Sequence, residues 1–293
     1  MIRLHSGPAE AVIDPDLGAG IVALTSAGLP VLSAGPGRPE GGPFAQGLNL
    51  LAPFSNRISR PFAFEGRTHP VPTTLPGEPF PIHGDAFQKP WTIEAQGDSE
   101  AALTLRGDIG SFRYDARVAY VLRGDALSVR LDLTNRADVT LPYGGGFHPW
   151  FPRHASTRLE FRAKGHWPED DRHLPATSVP TQIPADFQFE TAAPLPPGWI
   201  NCGFSGWDGH ARITQPELTV TVEAKGLTTA IVYSPGATAA FFCFEPVSHP
   251  VDAHNLPGQP DLVPLAPGAT LSMTLRLSWQ PLAPNPPVKE TRS

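Results

Sequence analysis

Alternation of apolar and polar residues with a period of two constrains this chain more than any other feature. The clearest run is VAYVLRGDALSVRLDLTN at 118–135. Leu127, Val129, Leu131 and Leu133 fall on one side, and Ser128, Arg130, Asp132 and Thr134 on the other. That pattern predicts a half-buried strand, and the Gly124-Asp125 step before it predicts a hairpin turn. ATLSMTLRLSW near the end repeats the device with Leu271, Met273, Leu275 and Leu277 in phase. EAVIDPDLGAGIVALTSAGLPVL near the start gives further short strands broken by Asp-Pro and glycine. Helical periodicity is scarce. Many short strands with one-sided burial predict an all-β chain, built as a large antiparallel β-sandwich.

Composition narrows the classes of function. The 293 residues include 36 prolines and 28 glycines, spread throughout, so they punctuate strands and do not mark a disordered tract. A net charge of −6 with no basic stripe argues against a nucleic-acid partner. No segment has the apolar length of a bilayer span, and the first residues lack the core of a signal peptide, so neither a membrane partner nor export is expected and a cytoplasmic protein is the expectation. Two cysteines, Cys202 and Cys243, exclude a disulfide framework. No composition shift cuts the chain, which predicts a single domain over 1–280, with 281–293 as a disordered tail.

Four stretches carry more functional groups than strand-building requires: LLAPFSNRIS (50–59), FPIHGDAF (80–87), YGGGFHPWF (143–151) and FFCFEPVSHP (241–250). In the third, glycines permit close approach to the backbone, and the proline after His148 is expected to stop a central strand. In the fourth, a strand over 241–245 would put Phe241, Cys243 and Glu245 on one face and end at Glu245. A histidine and a glutamate from separate strands are the usual pieces of acid–base catalysis. Taken alone, the residues leave the plainer readings open: a half-buried imidazole bonded to a carbonyl for His148, a surface guanidinium or structural salt bridge for Arg57, and a turn residue for His83. Trp91, Trp150 and Trp207 could stack on a sugar ring or pack in the sheets, and Phe54 and Phe80 could wall a pocket.

Taken together and in order, LLAPFSNRI, IHGDAF with Trp91, the long hairpin leading into LPYGGGFHPWF, and FCFEP resemble the motifs of the aldose 1-epimerases (galactose mutarotases), particularly the bacterial type. The resemblance covers nearly the whole chain and implies that family's galactose mutarotase-like supersandwich. By position it makes His148 the general acid and Glu245 the general base, and it makes Arg57, His83 and Asn56 sugar contacts. Where the family carries a sugar-binding aspartate ahead of a GW-containing strand, this chain has Asn201 in WINCGFSGWDG, while Asp208 lies nearby out of register. An amide accepts one hydroxyl proton and donates another but gives no charge-assisted bond.

The implied substrate is a free aldohexose such as galactose or glucose, with a hexose 6-phosphate (using Arg60, Lys89 or Arg153) or a non-catalytic sugar-binding module of the same fold as alternatives. His148 and Glu245 would then share a cleft on opposite sides of a hexose. No cofactor and no metal are expected. The chain has no HExxH or cysteine-rich ligand set, His249 and His254 lack an obvious third ligand, YGGGFH lacks the Lys-Ser/Thr of a phosphate loop, and no G-x-S-x-G elbow is present.

Overall fold

The computed structural model describes residues 1–33 and 42–282. The period-two runs become strands, and every strand-to-strand ladder is antiparallel. The long hairpin pairs Phe112–Leu122 with Ala126–Asn135, Leu122 facing Leu127 and Val118 facing Leu131. Arg123 and Ala126 exchange backbone hydrogen bonds across Gly124-Asp125, as a two-residue turn requires. Leu127, Val129, Leu131 and Leu133 are buried. Met273, Leu275 and Leu277 are buried in the final strand, Thr270–Pro281, while Leu271 is only partly covered.

These strands belong to a nine-stranded sheet that packs against a ten-stranded one. The ten-stranded sheet has Leu48–Leu51, Gly146–Pro152, Phe241–Val247, Thr229–Ser234 and Ile200–Ser205 side by side at its centre. Phe147, Phe151, Phe242 and Phe244 point from it into the shared apolar core. Alternation therefore sends His148, Trp150, Cys243, Glu245, Tyr233 and Asn201 to its other face. The antiparallel sandwich is as expected. Pro281 still belongs to the last strand, and 283–293, expected as a tail, lie outside the described residues. Among the described residues no helix is long and apolar enough to cross a membrane.

Two strand ends differ from expectation. The strand carrying His148 continues through Pro149 to Pro152, and the strand carrying Glu245 continues through Pro246 to Val247. A proline only removes a donor, and here the loss falls between the two strands. Trp150 donates its N–H to Gly47, on the Leu48–Leu51 side. Alternation then aims the donor that Pro149 lacks toward Phe241–Val247. The register on that side pairs Gly146 with Val247 and Trp150 with Cys243, and skips the residues between. Pro149 stays in register with Leu48 on its intact side.

The glycines before His148 serve strand contact. A Cβ on Gly146 would lie 2.3 Å from the Pro246 carbonyl oxygen, and one on Gly144 would lie 2.2 Å from the His249 ring. Gly146→Ala is expected to destabilise the fold by about 1–3 kcal/mol, the usual cost of overpacking, seen as a lower urea midpoint at unchanged slope.

Candidate active site

His148 and Glu245 meet at the unpaired stretch between their strands. His148 Nε2 lies 3.3 Å from Glu245 Oε1, and both side chains are buried. The imidazole stacks on Trp150 with ring centroids 4.8 Å apart and stands edge-on to His83 at 5.3 Å. Burial raises the Glu245 carboxyl to about 8, opposed by the Arg57 guanidinium. Burial also pushes His148 down to about 3, against a bond to its own backbone. At neutral pH the contact therefore joins a neutral carboxyl to a neutral imidazole.

His83 and Asn56 fix each other through their turns. The His83 N–H donates to the Asn56 carbonyl at 3.0 Å, and the Asn56 N–H donates to His83 Nδ1 at 3.0 Å. Because Nδ1 accepts, the proton of the neutral ring sits on Nε2. Burial, His148 and Arg57 all hold His83 well below its ordinary pKa, so it is a neutral donor. The turn needs Gly84, whose φ is 71° and whose Cβ would lie 1.9 Å from the Ala52 carbonyl oxygen. Asn56 Oδ1 accepts the Arg57 N–H at 3.0 Å, and the Arg57 guanidinium pairs with Glu78 at 3.1 Å.

These groups line one cavity of about 710 Å³, within the usual range for small-molecule sites. His148, Glu245, Arg57, His83, Asn56 and Asn201 all reach it. His148 and Glu245 share the cleft side by side, and do not stand on opposite sides of a hexose. Trp150 and Phe80 also line it. Trp91, Trp207 and Phe54 are core residues: the Trp91 indole donates to the Ala86 carbonyl, the Trp207 indole to the His210 carbonyl, and Phe54 packs on Phe112. Asp208 accepts the His210 N–H within its own turn. His249 accepts the Ser55 N–H, and His254 contacts the Pro142 carbonyl.

Several lining residues escaped the sequence reading: Phe44, Glu78, Tyr233, Phe241, and the loop 171–173 with Trp199. Phe241 was legible from parity with Glu245, and Trp199 from its place two residues before Asn201. Glu78 and the 171–173 loop carry no periodic signal. Among the described residues one group could hold a metal ion: ligand atoms of His148, Cys243 and Glu245 lie within 4.8 Å of one another. Two of those three, His148 and Glu245, are the residues the family resemblance makes acid and base. Both cysteines are buried and unbridged.

The aldose 1-epimerase family model matches residues 2–278. The chain belongs to that family. It is 35% identical over 241 residues to the uncharacterized protein YphB of Escherichia coli, covering 78% of this chain and 83% of that protein. It is 25% identical over 268 residues to the uncharacterized E. coli protein YihR, covering 87% and 85%. A crystal structure of a candidate aldose 1-epimerase from E. coli K12 superposes with a TM-score of 0.90 at 30% identity, covering 96% of this chain and 99% of that one. A galactose mutarotase-like protein from Clostridium acetobutylicum, with a TM-score of 0.84, 18% identity and coverage of 96% and 95%, shares the fold. Aldose epimerases act on sugars, and the cavity is lined by polar side chains able to bond hydroxyls.

The buried carboxyl can be read without substrate. The infrared carbonyl band of a protonated carboxyl, absent from Glu245→Gln, is expected at neutral pH and should vanish as the pH passes about 8. Its absence at pH 6 would show that Glu245 is ionised in the free protein.

Proposed function

We propose that the protein is a mutarotase that interconverts the α and β anomers of a free aldohexose such as galactose or glucose, in the cytoplasm. One observation carries this reading: a buried imidazole and a buried carboxyl 3.3 Å apart on the wall of a sugar-sized cavity. Ring opening needs a proton removed from the C1 hydroxyl and one delivered to the ring oxygen. Both oxygens are bonded to C1, so an acid and a base standing side by side can serve them together.

Glu245 takes the hydroxyl proton and His148 protonates the ring oxygen. The C1–O5 bond breaks, C1 becomes an aldehyde carbon, and rotation about C1–C2 presents its other face. Reclosure returns both protons. The working pair, carboxylate with imidazolium, holds the same number of protons as the neutral pair favoured by burial. Moving one proton from Glu245 to His148 interconverts them, so no proton need come from solvent. Substrate hydroxyls and Arg57 favour the charged form when the site is filled.

His83 Nε2–H, the Arg57 guanidinium, Asn56 and Asn201 supply hydroxyl contacts, within a unit taken to span 1–280. A phosphorylated hexose has less support. Arg60, Lys89 and Arg153 are not among the lining residues, and the lining cations Arg57 and Arg172 already face Glu78 and Asp170. Lys89 pairs with Asp85, and Arg153 bonds Ser234 and the Pro196 carbonyl. A binding module of the same fold would have no use for a matched acid and base.

His148→Ala and Glu245→Ala are each expected to lower turnover by about 10²–10⁴ in polarimetry with galactose and glucose. Both variants matching wild type would remove the reading. The value of kcat/KM on glucose should exceed that on glucose 6-phosphate by about tenfold or more, one charge-assisted phosphate contact being worth at least that factor. A preference for the phosphate would favour the alternative substrate.

A further inference from the structure

The wall of the cavity that carries Asn201 is held by a residue that does not itself line it. Glu169 precedes a tight loop: Asp170 N–H donates to the Leu174 carbonyl at 2.8 Å, and Ala176 N–H to the Pro168 carbonyl at 2.8 Å. Its side chain, 16% exposed, is not part of the cavity lining but meets three groups that are. Asn201 Nδ2 donates to Glu169 Oε1, His173 Nδ1 contacts the same oxygen, and the Trp199 indole N–H donates to Oε2 at 2.9 Å. Asn201 and Trp199 belong to the sheet side, and His173 to the loop, so one carboxylate joins the two.

The bonding fixes what the wall offers. With one Nδ2 hydrogen donated to Glu169, the orientation of the Asn201 amide is set and Oδ1 is left as an acceptor. Trp199, half exposed with its indole N–H tied back, stands edge-on to Tyr233 at 5.2 Å, lies 5.7 Å from the His173 ring and lines the cavity wall. The acid of this region thus stands behind Asn201, the position where the family resemblance places an aspartate.

We propose that Glu169 is a positioning residue for substrate binding: an acid held behind an amide, it fixes Asn201, Trp199 and His173 in the wall that meets the sugar. This rests on the sugar-binding reading above. The arrangement makes a particular demand on variants. Asn201→Asp alone sets two carboxylates against each other, whereas exchanging acid and amide between the two positions restores one of each.

The experiment measures KM and kcat for anomer exchange, with the Trp199 indole N–H resonance recorded by NMR on the same proteins. Glu169→Gln, which keeps the shape, is expected to raise KM about tenfold with kcat within about threefold, and Asn201→Asp to raise KM at least as much. The double variant E169Q/N201D should return KM to within about threefold of wild type. The Trp199 resonance should shift in Glu169→Gln and remain dispersed, which reports an intact fold. A double variant no better than the product of the two singles, or an unchanged KM in Glu169→Gln, would overturn the proposal. So would a Trp199 resonance that does not move. Wild-type protein that exchanges no anomers while the resonance shifts would retire the mutarotase reading and leave Glu169 as the brace of a wall with another ligand, overturning its role with sugars.

Discussion

Everything at the site depends on taking an imidazole and a carboxyl out of water together. Each alone resists its charged form when buried, and here the resistance acts on neighbours 3.3 Å apart, so the resting pair is neutral while its charged form differs only by the position of one proton. A group held this way is not a spectator of the sheet. In the proposed mechanism the contact holds both the acid and the base, and a polar substrate in the cavity brings out their charged forms.

The sheet makes room for that contact at little structural cost. Pro149 and Pro246 follow His148 and Glu245 directly, and both lie within central strands. Their missing donors would be a defect in an uninterrupted ladder. Here the pairing is intact on both sides of the gap, at Gly146–Val247 and Trp150–Cys243, and each strand keeps its outer neighbour. The phenylalanines on the opposite face remain in the apolar core and hold the two strands in place. The backbone spacing is therefore set by packing on one face, and the other face is free to carry chemistry.

Much of this was legible in the sequence because strand parity is a local property. Leu127 through Leu133 announced a buried face, and the spacing of Phe241, Cys243 and Glu245 announced which side chains would share a surface. What parity cannot carry is pairing between distant segments. Nothing local says that the prolines at 149 and 246 fall within one unpaired stretch between neighbouring strands, so the local pattern predicts a strand end at each. The same limit hid Glu169, whose partners at 173, 199 and 201 are joined by the fold of a loop with no period of its own, and it left open whether Trp91 and Trp207 wall the cavity or pack in the core, where they lie. The family resemblance supplied the long-range information for His148 and Glu245. It could not supply it for Glu169, whose partner Asn201 stands where this chain departs from the pattern.

The central claim is that the pair works by holding one exchangeable proton, and the pH dependence of kcat/KM for anomer exchange tests it most directly, since that ratio reports ionisations of the free enzyme. Removing the shared proton leaves a carboxylate beside a neutral imidazole, a base with no acid. The account predicts a level profile through neutrality and a fall above about pH 8, following Glu245. A rate that instead rises through that range would contradict it, because the fully deprotonated pair would then be the active one.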